Sequence, residues 1–218
     1  MKTVSIKQSH ELMAKLGTKV DWAAVPSDAA QRVVEDEEAG MKFCRFIENG
    51  GNMTCFMSLG IVAPKNGRVI IVTAVVDESR PWAEAVRAAG PDTGKDWDIW
   101  KVGDHYPAAS GGTRRLTQVI LANWKDGVAD GTVPLVWSKK QRLLPATPRT
   151  VFAIGEQYPD LHRLMGVDPM AVVSLLECTF NGESRIPNVW WNGAQRDADR
   201  GRVARGWDGD AWFAFVRE

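Results

Sequence analysis

Tryptophan and arginine interleave in the last third of the chain, and these two side chains together could bind a ligand. An indole offers a flat apolar face for stacking, and a guanidinium can bind phosphate or carboxylate. The sequence contains 10 Trp against 2 Tyr, an excess that favours some indoles outside the core. We therefore predict a ligand-binding face formed by Trp190, Trp191, Arg196, Arg202 and Trp207.

The tandem Trp190-Trp191 makes a geometric prediction. Adjacent side chains of a strand point to opposite faces, so one indole should enter the core and the other should face outward or line a groove. Four aspartates lie among the arginines of this segment, namely Asp197, Asp199, Asp208 and Asp210. They leave an alternative interpretation, an ion-paired and solvated hairpin around a core filled with Trp.

A second polar cluster carries metal-ligand side chains at Asp96, Asp98, Asp104 and His105. Carboxylates with a histidine can hold a divalent cation, and such a cation could drive hydrolysis or phosphodiester cleavage. Asp96 and Asp98 would share one face of a strand. The spacing completes no known motif, so a solvated edge strand with turn aspartates is the alternative. No other cofactor is predicted.

General acid–base chemistry has three candidates, His105, His162 and Glu156. A histidine between acidic and basic neighbours can exchange protons near neutral pH. The sequence has no GxSxG phrase and no cysteine in a reactive context, so no nucleophile accompanies them. Capping or packing is the alternative role for His162 and its neighbours. The absence of a complete catalytic motif favours a binding protein over an enzyme.

Composition limits the class of protein. The chain has 218 residues with 27 basic and 27 acidic side chains, so the basic excess typical of nucleic-acid binders is missing. Its three cysteines are widely spaced, which predicts neither a disulfide framework nor a zinc site. The first residues lack the apolar segment of a signal peptide, and no apolar run is long enough to cross a bilayer. We expect a soluble cytoplasmic protein without a membrane partner.

The periodicity predicts an α+β fold. In an N-terminal α/β part, residues 1–131, strands at 53–62 and 68–76 would form a central hairpin through Asn66-Gly67. The second of these strands is apolar on both faces, which predicts a central place in its sheet. A helix should begin after Pro81, and residues 97–102 alternate like a strand. Residues 116–124 could form either a strand or a helix.

A cluster of prolines at Pro134, Pro145 and Pro148 marks a predicted boundary near residue 132. The C-terminal part, residues 132–218, should be mainly β with one short helix at 159–165. Its predicted strands are residues 151–154, 171–180, 189–191 and 212–216. The two parts could also form one continuous domain.

Three phrases in this last third resemble a group of bacterial proteins of unknown activity. They are the run from Pro148 to His162, the Val-Trp-Trp phrase at 189–191, and the Trp-Phe-Ala-Phe phrase at 212–215. The resemblance implies a recurring domain and brings no ligand or catalytic residue with it.

Three functions stay open at this stage. The first is a binding protein that uses the Trp/Arg face for a protein or small-molecule ligand. The second is a metal-assisted hydrolase or nuclease at the aspartate cluster. The third is a weak single-stranded nucleic-acid binder on the Trp/Arg face, which the balanced charge disfavours.

Overall fold

Strands provide most of the architecture in the computed structural model, which describes residues 61–110, 114–204 and 206–217. All of these residues belong to the unit Met57–Glu218. Strands β1 to β8 are Gly67–Asp77, Arg114–Trp124, Leu143–Pro145, Met170–Ser174, Cys178–Phe180, Glu183–Asn192, Gln195–Gly201 and Ala211–Arg217. Helices α1 to α4 are Trp82–Ala89, Thr132–Lys140, Pro148–Gln157 and Leu161–Leu164, and two 3₁₀ turns cover Asp98–Trp100 and Gly103–His105.

The described strands form one mixed sheet with the order β1-β2-β8-β4-β6-β5, in which β3 also pairs with β8 and β7 with β6. The β4–β8 pair is parallel and the other pairs are antiparallel. Because β2 pairs with β8, strands from both sides of residue 132 share this sheet. The α+β class predicted from the sequence is confirmed, and strands dominate the C-terminal part.

Both faces of the central strands are covered, as alternation along β8 shows. Trp212 and Ala214 belong to one apolar cluster, which also contains buried residues of α1 and α3. Phe213 and Phe215 belong to a second cluster on the opposite face, where Leu135 of α2 packs. Since side chains of a strand alternate between faces, β8 contributes to two cores at once.

Helices α1 and α3 cover the first face for reasons visible in the sequence. In α1, Trp82, Ala85, Val86 and Ala89 repeat at helical spacing and are all buried. Helix α3 begins with Pro148 after Thr147, whose hydroxyl accepts a hydrogen bond of 3.1 Å from the Thr150 amide. Residues 151–154 were predicted as a strand, which is wrong, since they lie inside this capped helix. A short apolar run fits a buried helix as well as a buried strand.

The predicted hairpin is only partly described. Residues 53–60 lie outside the described residues, and Ile61 and Val62 are not in a strand. The turn itself exists, because the Gly67 amide donates to the Pro64 carbonyl at 2.9 Å and Asn66 has φ 55°. Strand β1 pairs along its length with β2, so residues 116–124 are a strand. Among the described strands β1 ends the sheet order, and its predicted central place stays a prediction because most of its predicted hairpin partner lies outside the described residues.

Residues 97–102 do not form the predicted strand. The Trp100 amide donates to the Trp97 carbonyl at 3.3 Å, and the Lys101 amide donates to the Asp98 carbonyl at 2.9 Å. Ile99 and Val102 are both buried, which is a period of three and matches 3₁₀ geometry. The alternation of apolar residues in this segment therefore reflects a tight turn packed on the core.

The remaining C-terminal elements follow the prediction with adjustments. The short helix at 159–165 is confirmed as α4, and the strands at 189–191 and 212–216 are confirmed within β6 and β8. The predicted strand at 171–180 is two strands, β4 and β5. Helix α2 and strand β7 were not predicted. The first turn of α2 is held by Asp130, whose carboxylate accepts from the Thr132 amide at 2.7 Å.

Side chains of α3 and its end occupy main-chain groups of β1. The Val75 amide donates to Oε1 of Gln157, and Nε2 of Gln157 donates to the Val75 carbonyl, both at 2.9 Å. The hydroxyl of Tyr158 donates to the Thr73 carbonyl at 2.6 Å. These bonds attach the helix to the strand through side chain and backbone together.

Within the described ranges, no helix has the length and apolar character that a bilayer crossing requires.

Candidate functional site

Strands β6 and β7 present a polar row and an aromatic side chain on the second face of the sheet. Their register pairs Asn188 with Asp199, Trp190 with Asp197, and Asn192 with Gln195. Directly paired residues share one face and stand about 5 Å apart at their Cβ atoms. The alternating sequence of β7 therefore places its two aspartates beside Trp190.

The tandem indoles separate as predicted. Trp191 is 0% exposed in the first core cluster, and its Nε1 donates to the Pro159 carbonyl at 3.0 Å. Trp190 is half-buried and lines a groove on the opposite face. The geometric prediction for this pair is confirmed, and Trp191 serves the core.

Trp207 forms a second wall of the same groove and is fixed by its backbone and by a glycine. The Val128 amide donates to the Trp207 carbonyl at 2.8 Å, and the Trp207 amide donates to the Val128 carbonyl at 2.9 Å. A Cβ on Gly201 would overlap the benzo ring of this indole, so the ring lies directly against the end of β7. Phe213 packs edge-on against Trp207 with ring centroids 6.0 Å apart.

Trp97 adds a third indole from a distant part of the sequence. It lies just before the first 3₁₀ turn and is 41% exposed. The groove between the three indoles has a volume of about 420 Å³. We call it the indole groove, and its lining is Trp97, Asn188, Trp190, Asn192, Gln195, Asp197, Asp199, Arg200, Gly201, Gly206, Trp207, Asp208 and Asp210.

The indole groove is acidic. Four aspartates line it, and Arg200 is the one cationic side chain that the described residues contribute. Arg200 forms an ion pair with Asp98, so its charge is already compensated outside the groove. Burial raises the pKa of the Asp197 carboxyl, and repulsion from Asp92 and Asp199 raises it further. The Asp197 Oδ1 atom is buried and has no hydrogen-bond partner among the described residues.

The two arginines of the predicted face, Arg196 and Arg202, form their contacts outside the indole groove. Arg196 shares the face of Trp191, where its Nε donates to the Ala89 carbonyl at 2.7 Å. Arg202 forms an ion pair with Glu183 at 3.0 Å. Neither side chain lines the indole groove, so the structure brings together Trp190 and Trp207 of the predicted face and uses its arginines elsewhere.

The four predicted metal ligands do not form one group among the described residues. Asp98 is bonded to Lys101 and Arg200, and these hydrogen bonds and charges lower the pKa of its carboxyl. Asp96 lines a shallow depression with Asp98, whereas Asp104 and His105 are exposed in the second 3₁₀ turn. Across the part of the chain that the structure describes, no three His, Cys, Asp or Glu side chains are grouped to hold a metal ion.

The predicted acid–base residues also line different cavities. His162 is 2% exposed, and its Nε2 lies 3.0 Å from the Gly193 carbonyl oxygen. Glu156 lies in another cavity, where it forms an ion pair with Arg80 at 2.5 Å. His105 is exposed to solvent and lines neither of these two cavities. The contacts of His162 are those of a packing residue.

The cavity around Glu156, with a volume of about 550 Å³, is larger than the indole groove. Most of its charged side chains form ion pairs or hydrogen bonds with other groups of the protein. Arg149 is buried, with hydrogen bonds from its guanidinium to the carbonyls of Arg80 and Tyr106 at 2.9 and 2.8 Å. Arg80 is paired with Glu156. This arrangement holds α3 against the loop after β1, so we assign the cavity a structural role.

Comparison of the chain with family models, with curated proteins and with solved structures finds no match in any of the three.

Proposed function

We propose that this chain is a binding protein, without catalytic activity, whose ligand lies against the indoles of the indole groove. The observation that carries the proposal is the convergence of Trp97, Trp190 and Trp207 from three separate segments on one concave surface. Partly exposed indoles in a concave site with a few polar groups are characteristic of ligand recognition.

The fold itself holds two of the indoles, Trp190 and Trp207, in fixed positions. Trp207 is held by two main-chain hydrogen bonds and by contact with Gly201, so its position does not depend on a bound molecule. Trp190 belongs to a strand paired on both sides, with β4 and with β7. Aromatic side chains that are already ordered lose little conformational entropy on binding. This favours a specific site over incidental exposure of apolar surface.

Polar groups complement the rings. Asn188, Asn192 and Gln195 offer amide donors and acceptors along one row, and the aspartates offer acceptors. A phosphate-rich ligand does not suit this lining, because the carboxylates would repel it. The proposed ligand is therefore a small molecule or a protein segment and not a nucleic acid.

A ligand screen that records intrinsic Trp fluorescence tests the proposal. A ligand of the groove should bind the full chain saturably and lose most of its affinity in Trp190→Ala and in Trp207→Ala. Trp137→Phe is the matched control, because Trp137 packs with Trp124 and Phe215 and does not line the groove. If every ligand found binds both groove variants as it binds the parent, the groove is not the site.

A further inference from the structure

The charge of the indole groove restricts its ligand further, on the assumption that the groove is the binding site proposed above. Alternation along β7 separates opposite charges onto opposite faces of the sheet. Asp197 and Asp199 share the face of Trp190, and Arg196 shares the face of Trp191. The aspartates therefore face the groove without an arginine from the same face of their own strand.

The one cationic side chain that lines the groove, Arg200, already has an ion-pair partner outside it. Arg200 pairs with Asp98, and neighbouring Arg185 pairs with Glu183. Asp208 and Asp210 add two further carboxylates from the segment that carries Trp207. Among the described residues, the groove thus combines four acidic side chains, of which Asp210 has an interaction of its own, with one guanidinium that is paired with Asp98. A concave surface of one charge sign concentrates ions of the opposite sign.

Asp197 is the carboxylate for which a partner is most clearly missing. It stands opposite Trp190 in the β6–β7 register, and its buried Oδ1 has no partner within the described residues. Asp92 and Asp199 repel its charge. A neutral ligand would leave this repulsion between carboxylates in place, whereas a cation bound in the groove would offset it.

The indoles favour a particular kind of cation. A positive charge over an indole face gains about 0.5–1 kcal/mol when exposed and about 2 kcal/mol when desolvated. A small inorganic ion would keep its water and would not use three apolar walls. An alkylated ammonium group offers methyl groups to the rings and a diffuse charge to the carboxylates. We infer that the indole groove binds an organic cation of the alkylated ammonium class, with Trp97, Trp190 and Trp207 as its walls and Asp197 and Asp199 as its counter-charges.

Two sources could supply this chemistry, a free quaternary amine or a methylated lysine side chain of a peptide. Titration of the full chain with choline and, separately, with an amide of trimethyllysine distinguishes them at constant ionic strength. The neutral control is the carbon isostere of choline, in which a tert-butyl group replaces the trimethylammonium group. Saturable binding of at least one of the two cations, at least about tenfold tighter than the isostere, is expected, since tenfold corresponds to about 1.4 kcal/mol.

Variants assign the effect to the groove. Asp197→Asn with Asp199→Asn should weaken cation binding about fivefold or more and leave binding of the isostere unchanged. The matched control is Asp130→Asn, because Asp130 is an aspartate outside the groove that bonds to Thr132. Trp207→Ala should weaken the cation and the isostere together.

The outcomes separate this inference from the proposed function. Binding of a neutral ligand that requires Trp190 and Trp207, with no preference for cations, overturns the cation assignment and leaves the proposed function intact. Cation binding that is unchanged in the aspartate double variant overturns the assignment as well. If the cations, the isostere and the screened ligands all bind without dependence on Trp190 or Trp207, both the cation assignment and the proposed function fall.

Discussion

The indole of Trp207 occupies the space that a side chain at residue 201 would need: a Cβ on Gly201 would lie 2.6 Å from Cζ2 of that ring. Glycine at this position therefore permits the ring to rest on the β7 backbone. The contact links the last residue of β7 to the segment before β8, and it fixes one wall of the indole groove.

Gly201→Ala should displace the Trp207 ring, because neither the strand backbone nor the bridged Trp207 backbone can move freely. Overpacking of this kind costs about 1–3 kcal/mol. Urea denaturation followed by Trp fluorescence measures the loss. Gly206→Ala is the control, since a Cβ there meets its nearest atoms at 3.5 Å, and its effect should stay within about 0.5 kcal/mol. Equal stability of the two variants would contradict the packing described for Trp207.

Arg149→Ala should be among the most destabilising single changes in α3. The guanidinium lies over the ring of Trp82 at 5.6 Å and donates to the carbonyls of Arg80, in the loop after β1, and of Tyr106, just after the second 3₁₀ turn. Removing the guanidinium leaves two carbonyl oxygens of the interior without their donor, which costs about 1–3 kcal/mol. Arg114→Ala is a matched arginine change at an exposed ion pair with Asp77 and should cost less than about 1 kcal/mol. Chemical denaturation of both variants checks the contrast.

Asp197→Asn should increase the free energy of unfolding at pH 7, although it weakens cation binding. The pKa of Asp197 is raised in the folded state, so the folded chain holds this proton more tightly than the unfolded chain. Its contribution to stability is fully present below the unfolded value of 3.8 and is lost as the pH rises through the folded pKa. The asparagine variant does not ionise and so avoids that loss. Urea denaturation between pH 4 and 7, roughly the range in which a perturbed carboxyl titrates, should show the stability gain of the variant growing as the pH rises.

Asp130→Asn should change the free energy of unfolding in the opposite direction in the same experiment. Hydrogen bonds from Thr132 lower the pKa of Asp130, so its stabilisation is present above 3.8 and is lost as the pH falls through the folded pKa. This variant should therefore be less stable than the parent at pH 7 and should approach it at low pH. A similar pH profile for the two variants would refute the assigned environments.

His162→Ala and His105→Ala distinguish packing from surface roles for two residues first considered as acid–base groups. His162 is buried and contacts the Gly193 carbonyl, so its truncation should cost about 2 kcal/mol or more. His105 is exposed, and its truncation should stay within about 0.5 kcal/mol. Thermal and urea denaturation provide the comparison. A stability loss at His105 that matched the loss at His162 would be inconsistent with their burial.

Strand alternation explains which parts of the site were predictable. The opposite fates of Trp190 and Trp191 follow from period two alone, and the same rule places Asp197 and Asp199 together. Trp97 could not be assigned to the groove, because the groove brings it together with residues of β6 and β7 that lie more than ninety positions later in the chain. The pairing of Arg200 with Asp98 is equally long-range, which is why the arginines were first expected to share the ligand with the indoles.

The fold shows the same division between local and long-range information. The α+β class and the strands around residues 190 and 214 follow from local patterns. Residues 151–154 were misassigned because four apolar residues carry no decisive period, although Thr147 and Pro148 before them form a helix start. Helix α2 was missed because Pro134 near its beginning resembles a loop signal, whereas proline is tolerated in the first turn.

The double hydrogen bond between Gln157 and Val75 has a consequence for how this molecule meets others. At an outer strand, an amide and a carbonyl left open are a template on which a foreign strand can add. The side chain of Gln157 binds both main-chain groups of Val75, as a paired strand would. The Tyr158 hydroxyl likewise binds the Thr73 carbonyl. A strand that added at Val75 would first have to displace the Gln157 side chain. These two hydrogen bonds therefore oppose fibril growth or domain exchange at this point.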